Sequence, residues 1–379
     1  MDSTPLSACD IDSYERWHDH ISTVASLRRC TIQSLDLSDE DLSDIDMEGA
    51  VFLGCQLPSG MIDTMRQKGA LIFPAFDNLP FNAYRSHLYE ADELYDAIFS
   101  GNLYADTADA RIYSWTRSLH TPSPIHATLA MSLHDHAIST ALEEYLRDID
   151  FHSTVGVMGG HAYERGSDDY VGAVRLGSQL ALHGFTVLTG GGPGAMEATN
   201  LGAYLAGRYP VLVSAIDHLA SIPTFHTDST AWVASALEIR AQFPPSAPSI
   251  SVPTWYYGHE PSNVFSTHIA KYFSNAIRED MLLQQCRAGI VFLPGAAGTV
   301  QEIFQAATSN FYCADPEKIT PMIFVGKDHW LKDLPAWPLL SSLASGRMSD
   351  AIALVDDIDD AVAWLNDHRN RRQHSSEES

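Results

Sequence analysis

From residue 153 onward, short continuous apolar runs alternate with helical stretches, and several of the runs end in glycine-rich turns. The runs are TVGVMGG (154–160), FTVLTGG (185–191), PVLVSAI (210–216), GIVFLPG (289–295), PMIFVGK (321–327) and IALVDD (352–357). Strands without polar alternation are buried on both faces, which a parallel sheet covered by helices on each side requires. The expectation is a doubly wound, Rossmann-like α/β domain over residues 151–368. In such a sheet, ligands bind in the crevice beyond the carboxyl ends of the strands. Three glycine turns fall there: Gly156–His161 with Gly159 and Gly160, Thr189–Glu197 with Gly190, Gly191, Gly192 and Gly194, and Leu293–Glu302 with Gly295 and Gly298.

Charge narrows what those turns can hold. Lys and Arg total 23 against 48 Asp and Glu, a net charge of −25. A field of that sign repels nucleic acid and anionic membrane surfaces, so neither is expected as a partner. A phosphorylated small molecule needs local positive potential, which glycine loops at helix N-termini supply through free N–H groups and the helix dipole. No loop ends in the GK[ST] of a nucleoside triphosphatase, and Glu197 stands where a dinucleotide fingerprint read from Gly192 needs its third glycine.

GGGPGAMEATN (190–200) followed by PGAAGTVQE (294–302) resembles the GGGxGxM and PGGxGTxxE motifs of the LONELY GUY family of phosphoribohydrolases. Met158–His161 and Gly192–Glu197 are more similar still to the long bacterial nucleotide 5′-monophosphate nucleosidases. The resemblance covers about residues 153–365. It implies hydrolysis of the N-glycosidic bond of a nucleoside 5′-monophosphate by a homodimer; no metal or organic cofactor is expected, since no cluster has convincing ligand spacing. It also implies Glu302 as the catalytic carboxylate and Arg278 as its arginine. Gly295, Gly298 and Thr299 would hold the phosphate, with Gly159, Gly160, Gly190, Gly191, Gly192, Gly194, Met196 and Glu197 lining the cleft. His161, Arg165, Tyr257, His259 and Glu279 are further candidates.

Two departures from the motifs stand out. Ala296 replaces a glycine, and Arg278 lies one residue further from Pro294 than the family's arginine, where Glu279 falls instead. Read as one continuous helix, 263–285 would turn Arg278 away from the stripe of Phe265, Ile269, Tyr272 and Ala276, while offering a dimer contact. Thr299-x-x-Glu302 also reads as a capping box, with Glu302 serving only a backbone N–H. A non-catalytic nucleotide or molybdenum-cofactor carrier of the same fold is the alternative function.

The remainder carries less chemistry. Ile32, Leu37, Leu42, Met47, Phe52 and Leu57 recur every five residues, as in a pentapeptide-repeat solenoid over 30–57 within an acidic segment 1–60. Segment 61–150 is expected to be mostly helical; its His126, His134 and His136 lack metal-ligand spacing. PPSAPSISVP (244–253) reads as a connector and 369–379 as a disordered tail. The N-terminus lacks signal-peptide character. Five cysteines without a CxxC are expected to be reduced thiols, as in a cytoplasmic protein.

Overall fold

The computed structural model describes residues 9–150, 152–257 and 260–377. The chain forms two compact units, one from the N-terminal residues through His87 plus His120–Ala141, the other from Leu88–Leu119 plus the residues from Leu142 onward. The division therefore cuts across the segment 61–150.

The first unit contains a parallel four-stranded sheet of β1 (Cys9–Ile11), β2 (Cys30–Gln33), β3 (Val51–Leu53) and β4 (Leu71–Phe73), in chain order. Partners lie one coil apart: Thr31 opposes Val51, Val51 opposes Leu71, and the bridges Ser26–Asp46 and Asp36–Gln56 repeat the same step. A coil of twenty residues is four five-residue units, which is why every fifth residue points inward. Ile32, Leu37, Leu42, Met47 and Phe52 are all buried, with Cys30, Leu35, Ile45 and Ala50 packed two places earlier. Corners are set by Asp36 and Asp41, whose carboxylates accept from the N–H and hydroxyl of Ser38 and Ser43. The stack extends past the legible repeat at both ends. Helices Tyr14–Thr23 and Ile62–Gln67 replace parts of the outer coils and interrupt the five-residue period.

Pairing of β1 with β2 sets Cys9 directly opposite Cys30, and the two are joined as a disulfide with Cα atoms 4.5 Å apart. The expectation of five free thiols is corrected for this pair; Cys55, Cys286 and Cys313 are free. A separation of 21 residues becomes a contact only because it is within one residue of the coil length. The inference of a cytoplasmic location from free thiols loses that support. Helices Ala108–Ser118 and Ile125–Arg147 fall in the segment expected to be helical. His134 is a buried histidine beside Asp135, with Phe81 edge-on.

The second unit is built on an all-parallel seven-stranded sheet: β5 (Thr154–Met158), β6 (Thr186–Thr189), β7 (Ser249–Ser251), β8 (His268–Ile269), β9 (Gly289–Phe292), β10 (Met322–Val325) and β11 (Ile352–Val355). Their spatial order is β11-β10-β9-β5-β6-β7-β8. Successive strands run outward from β5 in one direction and from β9 in the other, so the loops after β5 and β9 part at a topological switch point. This is the doubly wound α/β arrangement. Helices Asp168–Leu182 and Ala195–Tyr204 cross closely because Gly177 and Gly202 leave no Cβ where the other helix's backbone passes.

Four readings of this unit are corrected. PVLVSAI is not a strand but part of helix Tyr209–Ala220, with Pro210 in its first turn and Leu212, Ala215 and Leu219 buried at helical spacing. The next strand is instead β7, inside the proline-rich connector, where buried serines hid it from hydrophobic pattern. Segment 263–285 is not one helix. Buried Val264, Phe265, Ile269 and Tyr272 belong to β8 and its flanks, and the helix Asn275–Gln285 starts only at its cap Ser274. The continuous helical face offered for a dimer contact is therefore absent. Finally, the expected disordered tail is helical from 369 to Glu377, the end of helix Ile358–Glu377, where Arg369 and Arg372 donate to the carbonyls of His183 and Ile319. Among the described residues, no helix is long and apolar enough to cross a membrane.

Truncating an inward solenoid residue should be costly. Met47→Ala is expected to lose about 2–5 kcal/mol, whereas Leu71→Ala, at an exposed position, should stay within about 0.5 kcal/mol. Urea unfolding of both variants checks the contrast, and equal losses would refute the inward assignment.

Candidate functional site

Three loops meet at the carboxyl edge of β5, β6 and β9. The amide of Gly160 donates to Pro294 O at 3.0 Å, and that of Ala195 to Gly160 O at 3.0 Å. Tyr163 adds a hydroxyl bond to Pro294 O at 2.9 Å. Such contact needs glycine: a Cβ on Gly194, where φ is +71°, would sit 2.6 Å from both Gly160 O and His161 O. Gly159, Gly160 and Gly194 thus serve loop-to-loop packing. Gly298 differs, with nothing within 4 Å of where its Cβ would be. It lies exposed in the first turn of helix Ala297–Tyr312, leaving the N-terminal amides of that helix open to an anion. Ala296, the N-cap residue, has a negative φ of −119°, so the position does not demand glycine.

Arg278 and Glu302 face each other across this edge. Arg278 is buried, and its Nη1 lies 3.5 Å from Glu302 Oε1. Its Nε has no hydrogen-bond partner. The same guanidinium lies beside Gly190, 3.6 Å from where a Cβ there would stand. A buried guanidinium with unfilled donors at a glycine loop is built to meet an anion. The helical-wheel reading of Arg278 as solvated fails because residues before Ser274 are not helical.

The one-residue offset is resolved by the side chains. Glu279 is buried with its carboxylate held by Asn275 (2.7 Å) and Gln301, so Arg278 is the residue presented to Glu302. Burial pushes the Glu302 carboxyl up to about 7, Arg278 opposing and Glu279 reinforcing the rise. The capping-box reading is not what the structure has. Helix Ala297–Tyr312 begins two residues before Thr299, which is buried, and Glu302 turns toward Arg278. Thr299 Oγ1 instead packs against Gly295, where a Cβ would collide with it.

A small cleft of about 60 Å³ joins Gly190, Gly191, Gly192 and Met196 to Arg278, Tyr257, Glu260 and Thr254. Tyr257 is partly exposed and accepts from Asn275 Nδ2 at 2.8 Å. His259 lies outside the described residues. Glu197 and Arg165 do not face this cleft. They form a buried bidentate pair at 2.9 and 2.5 Å, extended by Tyr170, Ser235 and the Trp232 carbonyl, with Arg165 stacked 4.0 Å over the Trp232 ring. Exposed His161 joins them in lining a separate cavity of about 170 Å³.

Sequence reading missed the supports of the second loop. Asn263 donates from its amide nitrogen to Asn200 Oδ1 (3.1 Å), which also accepts from Thr189 Oγ1 (2.7 Å), while the Asn263 backbone amide donates to Gly191 O. Behind Ser262, Lys271 is buried and donates to Asp109 (2.5 Å) and to Ser262 Oγ (2.8 Å). Trp255 and Tyr104 also donate to Asp109, each at 2.9 Å. Burial lowers the Lys271 pKa, against the pull of Asp109. His329 Nε2 sits 3.1 Å from Gly295 O, bracing the third loop. Lone polar residues separated by up to 162 positions leave no signal in the chain.

Residues 152–218 match the family model of the SLOG cluster4 family (LDcluster4). A comparison with curated proteins gave no significant match. Among solved structures, the chain is similar to the Moco carrier protein of Chlamydomonas reinhardtii, at 18% identity and TM-score 0.37, over 58% of this chain and 99% of that one. It is also similar to the molybdenum cofactor binding protein of Rippkaea orientalis, at 16% identity and TM-score 0.34, over 56% and 95%.

Two stability effects follow from the buried charges. The folded state holds the Glu302 proton more firmly than the unfolded chain, so its contribution is complete below an unfolded pKa of about 4.3 and is lost as pH rises to about 7. Glu302→Gln should match wild type near pH 4 and exceed it above pH 7, by up to roughly 3 kcal/mol. Denaturant titrations across that range check this, and a pH-independent difference would contradict it. Lys271→Met strands the Asp109 carboxylate and should cost about 3–5 kcal/mol, read by the same method.

Proposed function

We propose that the loop edge around this cleft binds a nucleoside 5′-monophosphate, only part of which enters the cleft itself, and that Glu302 and Arg278 hydrolyse its N-glycosidic bond, releasing free base and ribose 5-phosphate. The observation that carries this reading is the buried Arg278 with unfilled donors, set between a glycine loop and a carboxyl whose pKa is about 7. The phosphate would take the Arg278 donors and the open amides beside Gly298. Departure of the base builds positive charge on the ribose ring. Ionised Glu302 would offset that charge and accept a proton from the attacking water. No step calls for a metal or organic cofactor, and a homodimer remains the expected assembly.

A second reading is non-catalytic binding and carriage of a nucleotide or of molybdenum cofactor, the latter being the ligand of the Moco carrier and molybdenum cofactor binding proteins to which the chain is similar.

Incubation of the pure protein with a panel of nucleoside 5′-monophosphates, with chromatography of released base, separates the two. Hydrolysis should rise as pH passes through about 7, where Glu302 ionises. Glu302→Gln should lower it at least about a hundredfold, roughly 2.7 kcal/mol of transition-state stabilisation, while AMP still binds. Arg278→Met should weaken AMP binding about tenfold or more, and wild type should bind AMP well above adenosine by calorimetry. Binding of monophosphates without release of any base supports the carrier, whereas equal affinity for AMP and adenosine rules out both hydrolysis and carriage of a nucleotide.

A further inference from the structure

The first unit holds a cluster that the nucleotide cleft does not use. Cys9, His20 and Cys30 place two sulfurs and an imidazole nitrogen within 4.8 Å of one another. His20 Nδ1 lies 3.6 Å from Cys9 Sγ, and its Nε2 lies 3.7 Å from Cys30 Sγ. Tetrahedral zinc, with bonds of about 2.0–2.3 Å, sets its ligand atoms roughly 3.3–3.8 Å apart. Nδ1 and Cys9 Sγ already have that spacing, and Cys30 Sγ lies beside the same ring, 3.7 Å from its other nitrogen.

The imidazole is also oriented as a ligand would be. Its Nε2 lies 2.8 Å from the carbonyl oxygen of Ser26. A carbonyl can only accept, so Nε2 carries the proton and Nδ1 keeps its lone pair on the side of Cys9 Sγ. The helix that carries His20 is fixed at its start by Ser13, whose hydroxyl accepts from the Arg16 amide, and by buried Trp17. Cys30 is buried on β2, whereas Cys9 and His20 are half-buried. Three ligands on a rigid frame with a partly open side leave room for water as the fourth.

We propose that this cluster is a zinc site when the Cys9–Cys30 bond is reduced, formed by the two cysteine thiolates and His20 Nδ1. The disulfide and the metal are alternatives for the same sulfurs. A thiol reductant supplies the two electrons that break the S–S bond: two RSH become RSSR, and each cysteine sulfur gains one proton. Binding of Zn2+ then releases those two protons, leaving two thiolates on the ion. Oxidised protein has no thiolate to offer and does not bind.

The experiment uses the full chain, reduced and desalted without oxygen, loaded with Zn2+ and passed through gel filtration before metal analysis. Reduced wild type should retain close to one zinc per chain, and the disulfide form less than a tenth of that. Cys9→Ser/Cys30→Ser should retain almost none. His20→Ala should bind at least about tenfold more weakly yet still close its disulfide, shown by thiol titration, so the loss is not one of folding. Co2+ in place of zinc should show thiolate-to-cobalt absorption in reduced wild type only. Folded, reduced wild type that retains no zinc overturns the proposal, as does zinc kept equally by the double serine variant or by His20→Ala.

Discussion

Two backbone hydrogen bonds, Gly160 N to Pro294 O and Ala195 N to Gly160 O, tie together the three loops on which the candidate site depends. In an all-parallel sheet every strand ends at the same edge as its neighbours, so the loops after β5, β6 and β9 must share one crowded space. Side chains there would force the loops apart, and glycine at 159, 160 and 194 removes that obstacle. Much of the glycine content is therefore required by packing. What remains open to a ligand is narrower: the cleft of the second loop and the first turn of the helix beginning at Ala297.

The charge of the site is arranged to the same end. A protein of net charge −25 offers an anion little attraction at long range. Arg278 reverses this locally, since burial strips it of water and its partner Glu302 is only partly ionised near neutral pH. A fully ionised, tightly bonded carboxylate would have consumed the guanidinium. Arg165 shows that other outcome, bound bidentately to Glu197 and surrounded by further acceptors. One arginine is structural because its donors are filled, whereas the other remains available.

The surrounding frame is polar in an unusual degree for a core. Asp109, Lys271, Trp255 and Ser262 interlock behind the loop that carries Tyr257 and Glu260. Asn200 and Asn263 interlock beneath Gly191. Buried networks of this kind add little net stability over apolar packing but penalise any rearrangement that leaves a member unpaired. They hold irregular loops that no regular ladder supports.

The sequence by itself determined the fold class, the order of the glycine loops and the inward residues of the solenoid, because each is written as a local pattern: continuous apolar runs, glycine after a strand, one apolar residue in five. It failed where pattern and burial part company. PVLVSAI looks like a strand but carries its apolar residues on a helix face, and Ser249-Ile250-Ser251 is a buried strand with too few apolar atoms to announce it. The tertiary structure alone decided that Arg278, not Glu279, meets Glu302, that Glu197 belongs to a buried pair, and that Cys9, His20 and Cys30 converge. These depend on where helices begin and on how many residues make one coil. Such long-range geometry brings side chains together through the packing of whole elements, and no spacing along the chain records it.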